Sequence, residues 1–208
     1  MYPVFLKISG KPCVVVGGGT IAYRKVTELL SEEAAVTVVA EKSISEIVDM
    51  SEQGLLTLRT KRFEPSDVDN AYLVFAATND KDVNAQVTAA AIQNKALINA
   101  VDTPELCDFY SGSVVNRGPL KIAISTGGCS PGIAGRIRRE LEVLYPESYA
   151  EFIETIGNMR RHIIDTIDSN SDLKREALSW LVRKETGELF FKFGKERLWK
   201  ELKNIISS

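Results

Sequence analysis

Residues 11–22 read Lys-Pro-Cys-Val-Val-Val-Gly-Gly-Gly-Thr-Ile-Ala, and the fold follows from them. Cys13 to Val16 is an unbroken apolar, β-branched run, the signature of a strand buried on both faces of a parallel sheet. Three glycines end it. From Thr20 to Leu30 the apolar residues Ile21, Ala22, Val26, Leu29 and Leu30 recur at helical spacing. The segment Val16-Gly17-Gly18-Gly19-Thr20-Ile21-Ala22 fits G-x-G-x-x-A in the one context that gives this pattern meaning, between a strand and a helix. Gly17 permits a tight turn, Gly19 lets backbone approach a pyrophosphate, and the free amides of the new helix attract phosphate. A glycine turn without a ligand is the bland alternative.

The same alternation continues outward. Val36 to Ala40 (VTVVA) reads as a second strand, and Ser43-Ile-Ser-Glu46 has the form of a capping box opening a helix to about Glu52. Residues 55–63 alternate apolar with polar, as an edge strand does. Tyr72 to Ala77 is a fourth strand, the region from Val83 to Gln93 a third helix, and Ala96 to Val101 a fifth strand. Strands and helices alternating at this interval predict a parallel sheet with right-handed crossovers, a Rossmann-like α/β domain over residues 1–111. Beyond it, residues 112–115 and 121–125 are short strands around the turn Asn116-Arg-Gly-Pro119. A second glycine loop, Thr126 to Gly132, feeds an Arg-rich helix to Leu144 that Pro146 ends. Residues 146–208 read as three amphipathic helices, broken near Asp168 to Ser171 and at Gly187. They look too few to bury their apolar faces alone, which predicts packing on the rest of the chain or on a second subunit.

Composition narrows the function classes. The 208 residues carry 26 basic and 28 acidic side chains, a net charge of -2, so global charge gives no case for nucleic-acid or membrane partners. No apolar run is long enough to span a bilayer and no secretory leader is visible, which predicts a cytoplasmic protein. Cys13, Cys107 and Cys129 are odd in number and widely spaced, arguing against a disulfide framework or a thiolate zinc site. With His162 as the single histidine, read as a surface or packing residue, no metal site is expected.

The candidate site residues cluster at predicted strand ends, where open parallel sheets bind ligands. Glu41, directly after the second strand, is placed to accept from the adenosine ribose of NAD and to repel a 2'-phosphate; Lys42 beside it weakens that preference. A solvated Glu–Lys pair is the alternative. Small residues Ala76 and Ala77 with Thr78 leave room for a nicotinamide ring, and Asp102 follows the fifth strand into the same crevice. Pro104 keeps a helix from starting at once after it. Asp80 reads as an N-cap of the third helix. Cys129 reads as a passive thiol in its glycine loop.

Five stretches together, GGGTIAYRK (17–25), VTVVA (36–40), FAATND (75–80), NAVDTP (99–104) and ISTGGCSPGIAGRIRRELE (124–142), resemble the precorrin-2 dehydrogenase part of sirohaem synthases. The resemblance covers essentially the whole chain and is strongest to about Leu144. It implies a Rossmann domain (1–111), a small dimerisation segment (112–145), a helical domain (146–208) and a homodimer whose interface helps form a tetrapyrrole cleft. It implies NAD contacts at Thr20, Ile21, Glu41 and Lys42, beside Gly17, Gly19 and Thr78 from the motif and strand end, with Asp102 of N-x-V-D-x-P as the catalytic residue. Ser125, Thr126 and Gly127 stand where the family has its hydroxyl pair and glycines. Arg117, Arg136, Arg138 and Arg139 are candidates for carboxylates of the substrate, precorrin-2, since guanidinium forks match them; for Arg138 and Arg139 a solvated helix face is the alternative. One departure is Ser31-Glu-Glu-Ala-Ala35, where members commonly end the first helix with glycine. The methyltransferase domain fused to some members is not expected, the sequence ending at Ser208. A dehydrogenase that also inserts ferrous iron, and a non-catalytic NAD-sensing module, are the rival readings.

Overall fold

A computed structural model describes residues 1–101, 103–168 and 171–207, with Pro104 by its backbone alone. Two compact units meet at Ser111 and Gly112. The first holds a five-stranded, all-parallel sheet in the order β3-β2-β1-β4-β5. Its strands are β1 (Pro12–Val16), β2 (Ala35–Val39), β3 (Thr57–Arg59), β4 (Leu73–Ala76) and β5 (Leu97–Ala100), joined by α1 (Thr20–Leu30), α2 (Ser45–Glu52) and α3 (Lys81–Gln93).

β1 explains why the strand had to be apolar throughout. Cys13 and Val15 face a core with Ala22, Val26 and Leu29 of α1 and Ile47 of α2, whereas Val14 and Val16 face Val87, Ala90 and Ala91 of α3. Each such buried aliphatic side chain contributes about 1.5–3 kcal/mol. The sheet is therefore wound on both faces, as the alternation predicted. Burial pushes the Cys13 thiol up to about 11, against a smaller opposing effect of a Leu73 backbone hydrogen bond, which leaves it an inert core residue.

Several local expectations need correction. α2 has Ile44 at its N-cap and no side-chain cap, so the box expected from Ser43 does not form. β3 is only three residues long, because the chain turns away after Arg59 into a buried ion cluster. At the end of α1, Glu33 itself takes the left-handed conformation (φ 59°) in the stretch where glycine was expected. Pro104 opens a single 3-10 turn, Pro104–Leu106, rather than holding the chain extended. The following segment covers the β5 edge: Asp108 N donates to Ile98 O, Ile98 N to the Asp108 carboxylate, and Asn99 Nδ2 to Phe109 O.

The ion cluster pins the other edge. Asp67, 2% exposed at its side chain, accepts from Arg59 at 2.9 Å, Lys61 at 3.1 Å and the Glu64 amide at 2.9 Å. Burial pushes its carboxyl up, but the Glu64 amide, Arg59 and Lys61 outweigh burial and hold it below its usual value. A depressed folded pKa stabilises the fold above the unfolded value, about 3.9, and this stabilisation is lost as pH falls through the folded pKa. Asp67→Asn is accordingly expected to cost about 1.5–3 kcal/mol in urea melts at neutral pH. The gap to the parent should close below about pH 4; a gap that stays constant with pH would show that Asp67 acts by packing alone.

The second unit begins with an antiparallel hairpin, β6 (Ser113–Arg117) and β7 (Leu120–Ile124), turning at Gly118 and Pro119. Four helices follow: α4 (Pro131–Leu144), α5 (Tyr149–Thr166), α6 (Asp172–Leu181) and α7 (Lys184–Ile206). α5, α6 and α7 bury Met159, Ile163, Ala177, Leu181, Phe190, Leu198 and Leu202 among themselves. The three helices form this core between them, while Ile164, Val182, Phe191 and Phe193 stay exposed. Gly187 stays helical, where an added Cβ would meet Phe152 at 3.7 Å; the kink in α7 falls at Gly194 (φ 81°). His162 is exposed and sits edge-on to Trp199 at 5.6 Å, the packing role expected of it. No described helix is long and apolar enough to cross a membrane.

Candidate functional site

The register of the sheet sets Val39, Val16, Ala76 and Ala100 side by side at its carboxyl edge. One residue further on, Gly17 N donates to Val39 O, Ala77 N to Val16 O and Val101 N to Ala76 O. The strand order reverses between β1 and β4, and at such a switch point the two flanking loops diverge and open a crevice. The glycine loop, Glu41–Lys42 and Ala77–Thr78 all emerge at this level. Asp102, next along from Val101, lies outside the described residues.

The three glycines are distinct in what surrounds them. Gly17 has φ 126°, and a Cβ there would lie 2.3 Å from Ala77 O. At Gly18 a Cβ would lie 2.1 Å from Lys42 O and 2.7 Å from Ser43 Oγ, while Gly18 O accepts from Ile44 N. These two glycines let the loops after β2 and β4 close on the first. Gly19 differs: among the described residues nothing lies within 4 Å of its missing Cβ. It is the N-cap of α1 and supplies no side chain, so no side-chain oxygen caps the first-turn amides. α1 also has no acidic residue in its first turn, which leaves its positive end uncompensated. Thr20 and Ile21 are exposed at that end.

Ser43 adds a feature that sequence reading missed. Its Oγ is buried beneath the glycine loop and has no hydrogen-bond partner among the described residues, an arrangement native structures rarely keep without a ligand or water to complete it. An open glycine, an uncapped helix end and an orphaned hydroxyl together fit the diphosphate of a dinucleotide. The only signal for Ser43 in the sequence was a capping box, and that pointed elsewhere.

Thr78 is braced from behind. Its hydroxyl lies 2.8 Å from Asn84 Oδ1 and 3.0 Å from Asp80 O, its amide donates to Asn84 Oδ1, and Asn84 Nδ2 donates back to Thr78 O. Asn84 is buried on α3, and it fixes this wall of the crevice. Asp80 accepts from the amides of Asp82 and Val83, the N-cap role expected for it. Glu41 is exposed and pairs with Arg62 at 2.9 Å, rather than standing as a simple Glu–Lys pair with Lys42. Lys25, of the Arg24-Lys25 pair, is buried on α1, 2.8 Å from Glu28 and over the Phe75 ring.

The remaining candidates lie in the second unit. Ser125 Oγ accepts from Gly127 N and Thr126 Oγ1 from Ser130 N, so both hydroxyls brace the second glycine loop as acceptors and keep their protons to donate. Cys129 is exposed. Arg136 is exposed and only loosely paired with Glu140 at 3.4 Å, Arg138 pairs with Glu142, and Arg139 is exposed. Arg117 is the exception: it is buried and spends its guanidinium on Tyr145 O, Asn116 O, Glu142 O and the Glu147 carboxylate. In this structure the guanidinium closes the end of α4. Among the described residues no group of three or more His, Cys, Asp or Glu is placed to hold a metal ion.

Residues 4–113 match an NAD(P)-binding family model, and residues 117–144 match the model of the central part of sirohaem biosynthesis proteins. The siroheme synthase of Methylococcus capsulatus is 40% identical over 165 residues, 79% of this chain and 35% of that protein. That of Thioalkalivibrio sulfidiphilus is 34% identical over 189 residues, 91% of this chain and 38% of that protein. The chain thus spans little more than a third of these curated relatives. The solved structure of SirC, precorrin-2 dehydrogenase, superposes with a TM-score of 0.82 at 30% identity, covering 98% of this chain and 100% of that one.

Proposed function

The chain belongs to the precorrin-2 dehydrogenase and sirohaem synthase N-terminal family, and on that premise we propose that it oxidises precorrin-2 to sirohydrochlorin with NAD. The observation that carries the proposal is the open Gly19 corner at the switch point, in a fold shared from end to end with a precorrin-2 dehydrogenase. Bound NAD supplies the hydride acceptor: the macrocycle loses a hydride and a proton, conjugation extends, and NADH is released.

The chain's own residues hold and orient. The amides of Thr20 and Ile21 with the backbone of Gly17 and Gly19 bind the diphosphate, and Ser43 Oγ adds a hydroxyl to that corner. Glu41 and Lys42 flank the adenosine ribose, while Thr78, fixed by Asn84, sets the depth of the nicotinamide pocket. Asp102 takes the proton or orients the ring. Much of the rate comes from holding the two rings in contact, since prepaid orientation is worth several kcal/mol. Ser125, Thr126 and Gly127 meet the substrate through the second loop, and Arg136 offers its exposed guanidinium to a carboxylate. Residues 112–145 serve as the dimerisation segment of a cytoplasmic homodimer, a role consistent with the exposed Val114, Ile133, Val143 and Leu144; residues 146–208 form the helical domain, and 1–111 the NAD-binding domain.

Anaerobic incubation with precorrin-2 and NAD, followed by NADH absorbance, tests this directly. Asp102→Ala is expected to lower turnover by at least ~100-fold, the usual worth of a positioned acid or base, with NADH affinity within a few-fold of the parent. Unchanged turnover would remove Asp102 from the chemistry. No NADH with either NAD or NADP would overturn the dehydrogenase reading in favour of a binding module. Adding ferrous iron to the same reaction separates a dedicated dehydrogenase from one that also chelates.

A further inference from the structure

Glu41 does not stand alone at the end of β2. The register of β2 on β3 sets Val39 opposite Arg59, and Ala40 N donates to Arg59 O, so both strands end at one level. A tight turn follows, with Lys61 N donating to Arg59 O, and it delivers Arg62 to Glu41: Nε lies 2.9 Å from Oε1. The neighbouring cations are spent elsewhere, Arg59 on Asp67 and Lys61 on Asp67 and Glu64. The Arg62 and Glu41 side chains are 87% and 59% exposed, so the pair stands open to a ligand.

We infer that Arg62 sets the choice of dinucleotide: it positions Glu41 for the ribose of NAD and becomes the receptor of a 2'-phosphate once Glu41 is removed. The inference rests on the NAD reading of this corner. Oε1 of Glu41 is occupied by Arg62, which leaves Oε2 to accept from a ribose hydroxyl. A 2'-phosphate brought to the same place meets a carboxylate and is repelled. Without that carboxylate the guanidinium is freed at the position where the extra phosphate lies, and its fork matches phosphate oxygens as a lysine ammonium does not. Lys42 is the competing cation, exposed beside Glu41.

The experiment measures NADH and NADPH dissociation constants of the full chain by calorimetry for the parent, Glu41→Ser, Glu41→Ser/Arg62→Ala and Glu41→Ser/Lys42→Ala, with circular dichroism to confirm folding. The parent should prefer NADH. Glu41→Ser should tighten NADPH by about tenfold or more, the worth of one or two charge-assisted hydrogen bonds, and weaken NADH. The added Arg62→Ala should abolish that gain and the added Lys42→Ala should keep most of it. A gain that survives Arg62→Ala and disappears with Lys42→Ala overturns the inference. So does an unmoved NADPH affinity in Glu41→Ser, and in that case tight NADH binding would leave the site itself standing. Failure of the parent to bind either dinucleotide overturns the site and the inference together.

Discussion

Gly19→Ala is expected to leave the protein folded, with a melting temperature within a few degrees of the parent, and to weaken NADH binding by about tenfold or more. The two halves of this result come from separate observations. Gly19 has φ −93°, which any residue adopts, and among the described residues nothing lies within 4 Å of the position its Cβ would take. The protein alone therefore accepts the methyl group. A diphosphate drawn onto the first turn of α1 does not, because backbone must come within hydrogen-bond reach of its oxygens and a Cβ stands between.

Gly17→Ala and Gly18→Ala provide the contrast. Their new Cβ atoms would lie 2.3 Å from Ala77 O and 2.1 Å from Lys42 O, contacts that only backbone displacement relieves, and Gly17 carries in addition a φ of 126°. Both should be destabilised by several kcal/mol, the range of severe backbone strain and overpacking. Thermal melts and NADH titrations on the three variants separate a glycine kept for the ligand from glycines kept for the fold. Equal loss of stability at all three positions would show that the loop is a packing device, and unchanged NADH binding in Gly19→Ala would take the diphosphate away from this corner.

The sheet was legible because its signals are local and physically forced. A strand buried on both faces must be apolar throughout, and β1 is; a strand that must turn at once into a helix needs glycine at φ 126°, and Gly17 supplies it. What sequence hid was tertiary competition for local groups. Ser43 has the sequence of a capping residue, yet the close approach of its loop to Gly18 takes it out of reach of α2. Gly187 reads as a helix breaker, but a glycine costs a helix only about 1 kcal/mol, and Gly187 stays helical where its small size admits Phe152. Arg62 meets Glu41 across two strand ends and Asn84 meets Thr78 from the first turn of the next helix, pairings that no spacing rule reads from sequence. Nor does the sequence of a turn show what an arginine in it meets, which for Arg117 is the end of α4.

Arg117→Ala is accordingly expected to be a stability mutation rather than a binding one. The side chain is only 9% exposed and ends in four interactions within its unit: Nε to Tyr145 O at 2.7 Å, Nη1 to Asn116 O at 2.8 Å and to Glu147 Oε1 at 2.9 Å, and Nη2 to Glu142 O at 3.4 Å. Two of the acceptors are carbonyls from the last turn and C-cap of α4, groups that a helix leaves unsatisfied and that carry the negative end of its dipole. Truncation strands them, so the cost should be about 2–4 kcal/mol, set by buried carbonyls losing a charged donor. For a unit of this size that is a fall of roughly 10 °C or more in melting temperature. Glu147 is 85% exposed, so Glu147→Ala should cost little, and Arg117→Lys should recover only part of the loss because one ammonium cannot reach carbonyls on both sides of the fork. Melting curves on the three variants decide the matter. A parent-like melting temperature for Arg117→Ala, combined with weaker binding of precorrin-2, would restore Arg117 to the substrate site and displace it from the end of α4.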